Sequence, residues 1–195
     1  MRIIAGEFRG RKLLAPLGDT TRPITDRAKQ SLFDTLGDLV AGAIVYDCFA
    51  GTGSMGLESL SRGAAHAVFF DLDRSALSLL RQNIDALKVQ DRTTVLGVDL
   101  FKWARGAWTV PTTDLVFLDP PYRLLRERPD DLRSLTDALR THMSTGATLV
   151  FRHSAADALP LAGFQPWDQR TYGDMVIELL RAGHDARAFF PVASK

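Results

Sequence analysis

The residues able to do chemistry in this chain sit where its apolar runs stop. Leu115-Val116-Phe117-Leu118 runs directly into Asp119-Pro120-Pro121-Tyr122. Each proline fixes its own φ, and Pro121 also keeps Pro120 out of the helical region. The turn is therefore stiff, and it holds the Asp119 carboxylate and the Pro120 carbonyl in a nearly fixed relation. Two acceptors converging on one point suit an exocyclic amino group, which has two N–H donors. An aryl amine is a poor nucleophile because its lone pair is delocalised into the ring. Fixing both N–H groups turns that pair toward an electrophile, so most of the acceleration is positioning. Tyr122 offers a ring face for the base. Asp119, Pro120, Pro121 and Tyr122 form the candidate catalytic set.

Three earlier run ends describe what lies beside this clamp. The first reads Asp47-Cys48-Phe49-Ala50, then Gly51-Thr52-Gly53-Ser54-Met55-Gly56. This G-x-G-x-x-G lets bare backbone approach a ligand closely. The second end carries Asp71-Leu72, twenty residues after Gly51, where a carboxylate can accept from both ribose hydroxyls. The third carries Asp99-Leu100, where an acid can receive an adenine amino group. Asp71, Asp73 and Asp99 are equally good helix caps when taken singly. Together the ends describe an adenosine site, which NAD and S-adenosylmethionine share. The amine clamp separates the two: a sulfonium methyl is an electrophile for an amine, whereas hydride transfer has no use for the clamp.

The elements that must position these residues follow from hydropathy patterning. Short apolar runs at 43–49, 67–70, 93–98, 115–118, 147–151 and 175–180 alternate with amphipathic stretches near 54–62, 74–88, 100–105 and 130–142. That alternation predicts an α/β fold, a parallel sheet covered by helices on both faces. The closing stretch "GFQPWDQRTYGDMVIELLRAG" (163–183) holds two strand-like pieces with no helical stretch between them and predicts a terminal antiparallel hairpin. At the start, residues 2–4 and 12–14 flank the turn-prone Phe8-Arg9-Gly10 and predict a β-hairpin. Thr25 reads as the N-cap of a helix over 25–40. The expected organisation is an N-terminal extension over 1–42, a main domain over 43–182 and a loosely held tail over 183–195.

Bulk composition sets outer bounds. The chain has 195 residues, a net charge of +1 and one cysteine, so no internal disulfide forms and a reducing, cytoplasmic setting is expected. No stretch has the length of a signal peptide or membrane span. Charge is uneven: residues 1–30 hold seven bases against three acids. A basic end on a mildly acidic body suggests a polyanion contact confined to that end, with a solvated basic face as the plain alternative. The four histidines are scattered and one cysteine cannot complete a zinc set, so no metal is expected. Cys48 reads as a small core residue whose side chain alternates with those of Asp47 and Phe49. Trp103, Trp108 and Trp167 read as packing residues, and Arg123, Arg126 and Arg128 as a solvated loop after the clamp.

With these residues in hand, the sequence resembles the RsmD family of bacterial methyltransferases, which modify the exocyclic N2 of one guanine in 16S ribosomal RNA. The resemblance covers about residues 1–182. It lies in "MRIIAGEFRGRKL", "RPITDRAKQSLF", "DCFAGTGSMGLESLSRGA", "FFDLD", the Asp99 run end, "FLDPPY" and "YGDMVIELL". The glycine loop and the proline clamp belong to many amino-methyltransferases; the N-terminal motifs are the specific part. The resemblance implies a Rossmann-like class I fold with a mostly parallel seven-stranded sheet, and S-adenosyl-L-methionine as cofactor. It makes Asp47, Phe49, Ala50, Gly51, Gly53, Asp71, Leu72, Asp99 and Leu100 cofactor contacts. Arg9, Arg11, Lys12, Arg22 and Arg27 would face RNA phosphates, which position without reading sequence. It implies 16S ribosomal RNA or an assembling small ribosomal subunit as partner, and a monomer. Gln30 stands where the family usually has a glutamate, and Ile24 where it usually has a threonine. A DNA adenine-N6 methyltransferase would use the same clamp, but the chain leaves no room for a separate target-recognition domain. A non-catalytic RNA-binding assembly factor and a nicotinamide oxidoreductase complete the alternatives.

Overall fold

A computed structural model describes residues 1–16, 24–106 and 110–183. Arg22, Trp108, His184 and the expected tail from 184 onward lie outside the described residues. The strands are β1 (Ile44–Cys48), β2 (His66–Asp71), β3 (Thr93–Gly97), β4 (Thr113–Leu118), β5 (Met143–Ser154), β6 (Phe164–Tyr172) and β7 (Met175–Ala182). They form one sheet in the order β3-β2-β1-β4-β5-β7-β6. The first five pair in parallel, whereas β7 runs antiparallel to both β5 and β6. Chain order reverses between β1 and β4, so a crevice opens beyond their carboxyl ends.

The apolar runs are continuous because both sheet faces are covered. Val45, Phe69, Leu115, Phe117 and Val150 point into one core cluster. Their neighbours Tyr46, Phe70, Val116, Leu118 and Phe151 point into the other. The helices are α1 (Asp26–Leu36), α2 (Ser54–Ser61), α3 (Arg74–Leu87), α4 (Leu100–Trp103), α5 (Tyr122–Glu127) and α6 (Pro129–Thr141). Thr25 caps α1 by accepting from Ala28 N, as the sequence predicts. Asp73 caps α3 and Asp99 caps α4. The loop expected after the clamp is instead α5, whose Leu125 is buried against the second cluster. Two arginines and a glutamate in six residues leave only Leu124 and Leu125 as apolar anchors, too few for a periodicity reading.

The N-terminal hairpin shrinks to one antiparallel bridge, Arg2 with Lys12. Ile3 N donates to Arg11 O and Leu13 N to Met1 O across it, and side chains of α2 and α3 take neighbouring backbone groups. Glu58 accepts from Ile4 N at 2.7 Å and Ala5 N at 3.1 Å. Ser61 Oγ accepts from Phe8 N and donates to Ala5 O. Asn83 receives Leu14 N and donates to Leu14 O. Gly6 (φ +82°) lies so close to α2 that a Cβ there would sit 1.8 Å from Ser61 O. Glu58 is wholly buried and also meets Lys29 Nζ at 3.4 Å and Arg62 Nε at 2.8 Å. Lys29, equally buried, donates to Arg2 O and Ser54 Oγ. Burial pulls the Lys29 ammonium below its ordinary value, and Glu58 opposes that pull.

Glu58→Ala would leave Lys29 buried without its carboxylate and orphan two backbone N–H groups. We expect a loss of about 3–5 kcal/mol in urea denaturation. Glu7→Ala, which removes an exposed partner of Arg92, should cost under about 1 kcal/mol.

Candidate functional site

The glycine loop follows β1, and its glycines do different work. Gly53 (φ +82°) packs so tightly that a Cβ would lie 2.3 Å from Leu80, and a Cβ on Gly56 would lie 2.3 Å from Phe69. These two let α2 press against the sheet. Gly51 (φ +56°) faces open space, with nothing within 4 Å of where its Cβ would be. A ligand can therefore reach the loop at Gly51. Phe49 adopts φ 60°, a conformation that costs a non-glycine residue energy and that recurs at functional turns. This breaks the alternation expected from the sequence: Phe49 packs against the cluster that contains Cys48, with its ring 5.9 Å from that of Phe101.

Asp71 holds the loop itself. One oxygen accepts from Gly51 N at 2.6 Å and the other from Asp73 N at 2.9 Å. Asp73 fills the capping role, so Asp71 is left at the loop. Beside it Leu72 is 66% exposed, an unusual position for a leucine and a ready apolar surface for a planar ring. Asp99 accepts from Phe101 N and Lys102 N through Oδ1, and so serves as a cap. Leu100 is buried in the core.

Asp47 is buried and accepts from Gly56 N at 2.8 Å. Burial, reinforced by the nearby Asp119 and Asp71 charges, pushes its carboxyl up to about 8. Three carboxylates thus surround one crevice. A cation beside them would favour the ionised form of Asp47, and the approach to Gly51 is open, so the residues present fit a ligand that carries an adenosine and cationic groups, as S-adenosylmethionine does.

The clamp sits next door. Asp119 N reaches Cys48 O at 3.4 Å, which ties the end of β4 to the end of β1. Pro120 is buried, Pro121 is exposed and precedes α5, and Tyr122 opens α5 half-buried. Asp119 also has a partner that sequence reasoning missed. Arg152 on β5 donates Nε to Oδ1 at 2.6 Å, and its Nη2 stands 2.6 Å from Oδ2. The available signal was a lone arginine within the buried run "TLVFRHS". Ile24, Met55, Phe117 and Ile177 line a small apolar cavity against this pair.

Of the basic residues, Arg9, Lys12 and Arg27 are exposed. Arg11 is exposed too, but it donates to Ala86 O on α3 at 2.7 Å. Arg27 and Arg170 of β6 flank an open groove of about 580 Å³.

A sheet of this order, with its crevice bounded by a glycine loop and a proline clamp, defines the Rossmann-like class I S-adenosylmethionine-dependent methyltransferases. The family model described as Conserved hypothetical protein 95 matches residues 1–181. The chain is 33% identical over 178 residues to YlbH of Bacillus subtilis, which spans 91% of this chain and 90% of that one. It is 40% identical over 124 residues to the ribosomal RNA small subunit methyltransferase D of Escherichia coli, covering 63% of this chain and 61% of that relative. The solved structure of yhhF from Escherichia coli superposes with a TM-score of 0.80 at 31% identity, covering 94% of this chain and 98% of that one. The chain belongs to this family, the RsmD-type methyltransferases.

The raised Asp47 carboxyl has a consequence for stability. From about pH 4 to 8 the folded state keeps a proton that the unfolded chain has released, so this group's contribution to stability falls as pH rises through that window. Asp47→Asn should therefore gain on the wild type in urea denaturation between pH 5 and 9, while binding S-adenosylmethionine more weakly. An unchanged gap across that range contradicts the assignment.

Proposed function

We propose that this protein transfers a methyl group from S-adenosylmethionine to the exocyclic N2 amine of a guanine in small-subunit ribosomal RNA. The observation that carries this reading is the clamp: a half-buried, proline-stiffened Asp119 joined to β1 directly beside the open glycine loop. The family relationship, and the activity named for the Escherichia coli relative, supply the base and the RNA.

Gly51 and Leu72 would hold the adenosine portion, with Asp71 fixing the loop under it. Asp47 would face cationic groups of the ligand. When bound, S-adenosylmethionine supplies an electrophilic methyl group on a sulfonium. Asp119 and the Pro120 carbonyl would each accept one N–H of the guanine amine, and Tyr122 would stack on the base. The nitrogen lone pair, turned out of the ring's conjugation, would form the new N–C bond as the C–S bond breaks. The charge then lies on nitrogen and would be discharged as the N–H held by Asp119 passes its proton, through that carboxylate, to solvent. The guanine must leave its stack to enter this crevice.

Arg9, Lys12 and Arg27 lie on or beside the segment that is pinned to α2 and α3. They would track RNA phosphates while Arg11 helps anchor the segment. Arg170 extends that basic margin across the groove beside α1. Cytoplasmic location and action as a monomer belong to this proposal. Among the described residues no helix is long and apolar enough to cross a membrane.

Purified protein given methyl-labelled S-adenosylmethionine and small-subunit RNA should place label in N2-methylguanosine. Label in duplex DNA alone would sink the proposal. Asp119→Asn and Tyr122→Ala should each lower kcat by roughly 10²–10³-fold, in line with losses seen when one positioned polar group is removed. Arg9→Ala and Lys12→Ala should each weaken RNA binding about equally for all sequences and reduce the salt slope by about 1.

A further inference from the structure

Arg152 has no place in the site as the sequence presents it, yet it makes two 2.6 Å contacts with the carboxylate on which the clamp depends. The arrangement is a parallel fork, Nε to one oxygen and Nη2 to the other, which fixes the carboxylate plane as well as its position. Arg152 is 14% exposed and is itself held, with Nη1 3.6 Å from Met175 Sδ on β7. Among the described residues, the rest of the cavity lining beside the pair is apolar, including Ile24, Leu32, Met55, Phe117, Val150 and Ile177. Among the described residues, the charged groups facing Asp119 are Arg152 from β5 and Asp47 from β1.

Protonation decides what this carboxyl can do. An ionised carboxylate is acceptor-only and can receive an amine N–H. A protonated acid carries an O–H donor, which would engage the amine lone pair and withdraw the electrons the reaction needs. Burial pushes the Asp119 carboxyl above its ordinary value, and the Arg152 guanidinium opposes that rise without cancelling it. Even with both fork contacts made, each carboxylate oxygen retains a second lone-pair site for the amine.

We propose that Arg152 is a positioning residue: it keeps Asp119 an ionised, plane-fixed acceptor for the substrate amine. This rests on the functional reading above, in which Asp119 receives that amine. Arg152 acts through Asp119 and needs no contact with the cofactor or the base. The fork also explains why a buried strand admits a guanidinium within "LVFRHS".

Two measurements test this in the full-length protein. The first needs no substrate. The ¹³C carboxyl signal of Asp119, assigned by its loss in Asp119→Asn, is titrated in wild type and in Arg152→Met. The midpoint should move up by at least one pH unit in Arg152→Met and by less in Arg152→Lys, which keeps the charge and loses the fork. An unmoved midpoint overturns the proposal, whatever the substrate proves to be. The second is the pH profile of kcat for methyl transfer. Arg152→Met should shift the acidic limb upward and recover activity toward pH 9. In an Asp119→Asn background the same substitution should cost less than about threefold more. A uniform loss at every pH, tracking a lower melting temperature and adding fully to Asp119→Asn, would make Arg152 a packing residue and overturn the proposal. Failure of wild type to methylate guanine, with the titration shift intact, would strike the functional reading and leave the ion pair's effect on Asp119 established.

Discussion

The buried Glu58 carboxylate is the constraint on which the rest of the molecule depends. It collects backbone donors from Ile4 and Ala5, the ammonium of Lys29 and the guanidinium of Arg62. Three stretches of chain are thereby fixed to α2: the N-terminal segment, α1, and α2's own last turn. A buried charge of this kind is no free source of stability, because removing it from water costs what pairing returns. Its value is geometric. α2 begins at the glycine loop, and Lys29 reaches Ser54 at that helix's first residue. The basic N-terminal segment and the ligand-facing loop are therefore parts of one rigid arrangement.

Opposed charges recur at the crevice with a different outcome. Burial pushes both carboxyls up, but at Asp119 a guanidinium opposes the rise, whereas Asp47 has only backbone N–H groups against it and goes to about 8. The protein thus carries an electrostatic strain at Asp47 that the cationic ligand proposed above would relieve. A stable, neutral residue at that position would fold more readily and bind less well. Such a trade between stability and function is common at binding sites.

Local signals in the sequence were reliable where the physics is local. Thr25 capping α1, the alternation into a parallel sheet and the stiff turn at Pro120-Pro121 each follow from a few neighbouring residues, and the structure contains them. The site's glycines were recognisable by spacing, but their division of labour was not. That Gly53 and Gly56 serve packing and Gly51 faces the crevice depends on Leu80 and Phe69, which arrive from other elements. The N-terminal hairpin is present but short, with Arg2 bridged to Lys12 and Ile3 N donating to Arg11 O. Beyond that, Ile4 and Ala5 donate to Glu58, more than fifty residues away, and a pattern of apolar runs cannot show that competition. Arg152 likewise meets Asp119 across 33 residues of sequence. Asp99 shows a further limit: capping and ligand-binding readings use the same acid at the same strand end, and the structure displays the cap.

In the proposed reaction, the clamp at Asp119 presents a guanine amine of small-subunit ribosomal RNA for methylation. Mass mapping of that RNA from cells lacking the gene tests it most directly. One guanine should lose an N2-methyl group, regain it with the wild-type gene, and stay unmethylated with Asp119→Ala. RNA methylated identically with and without the gene, or restored by Asp119→Ala, would contradict the claim.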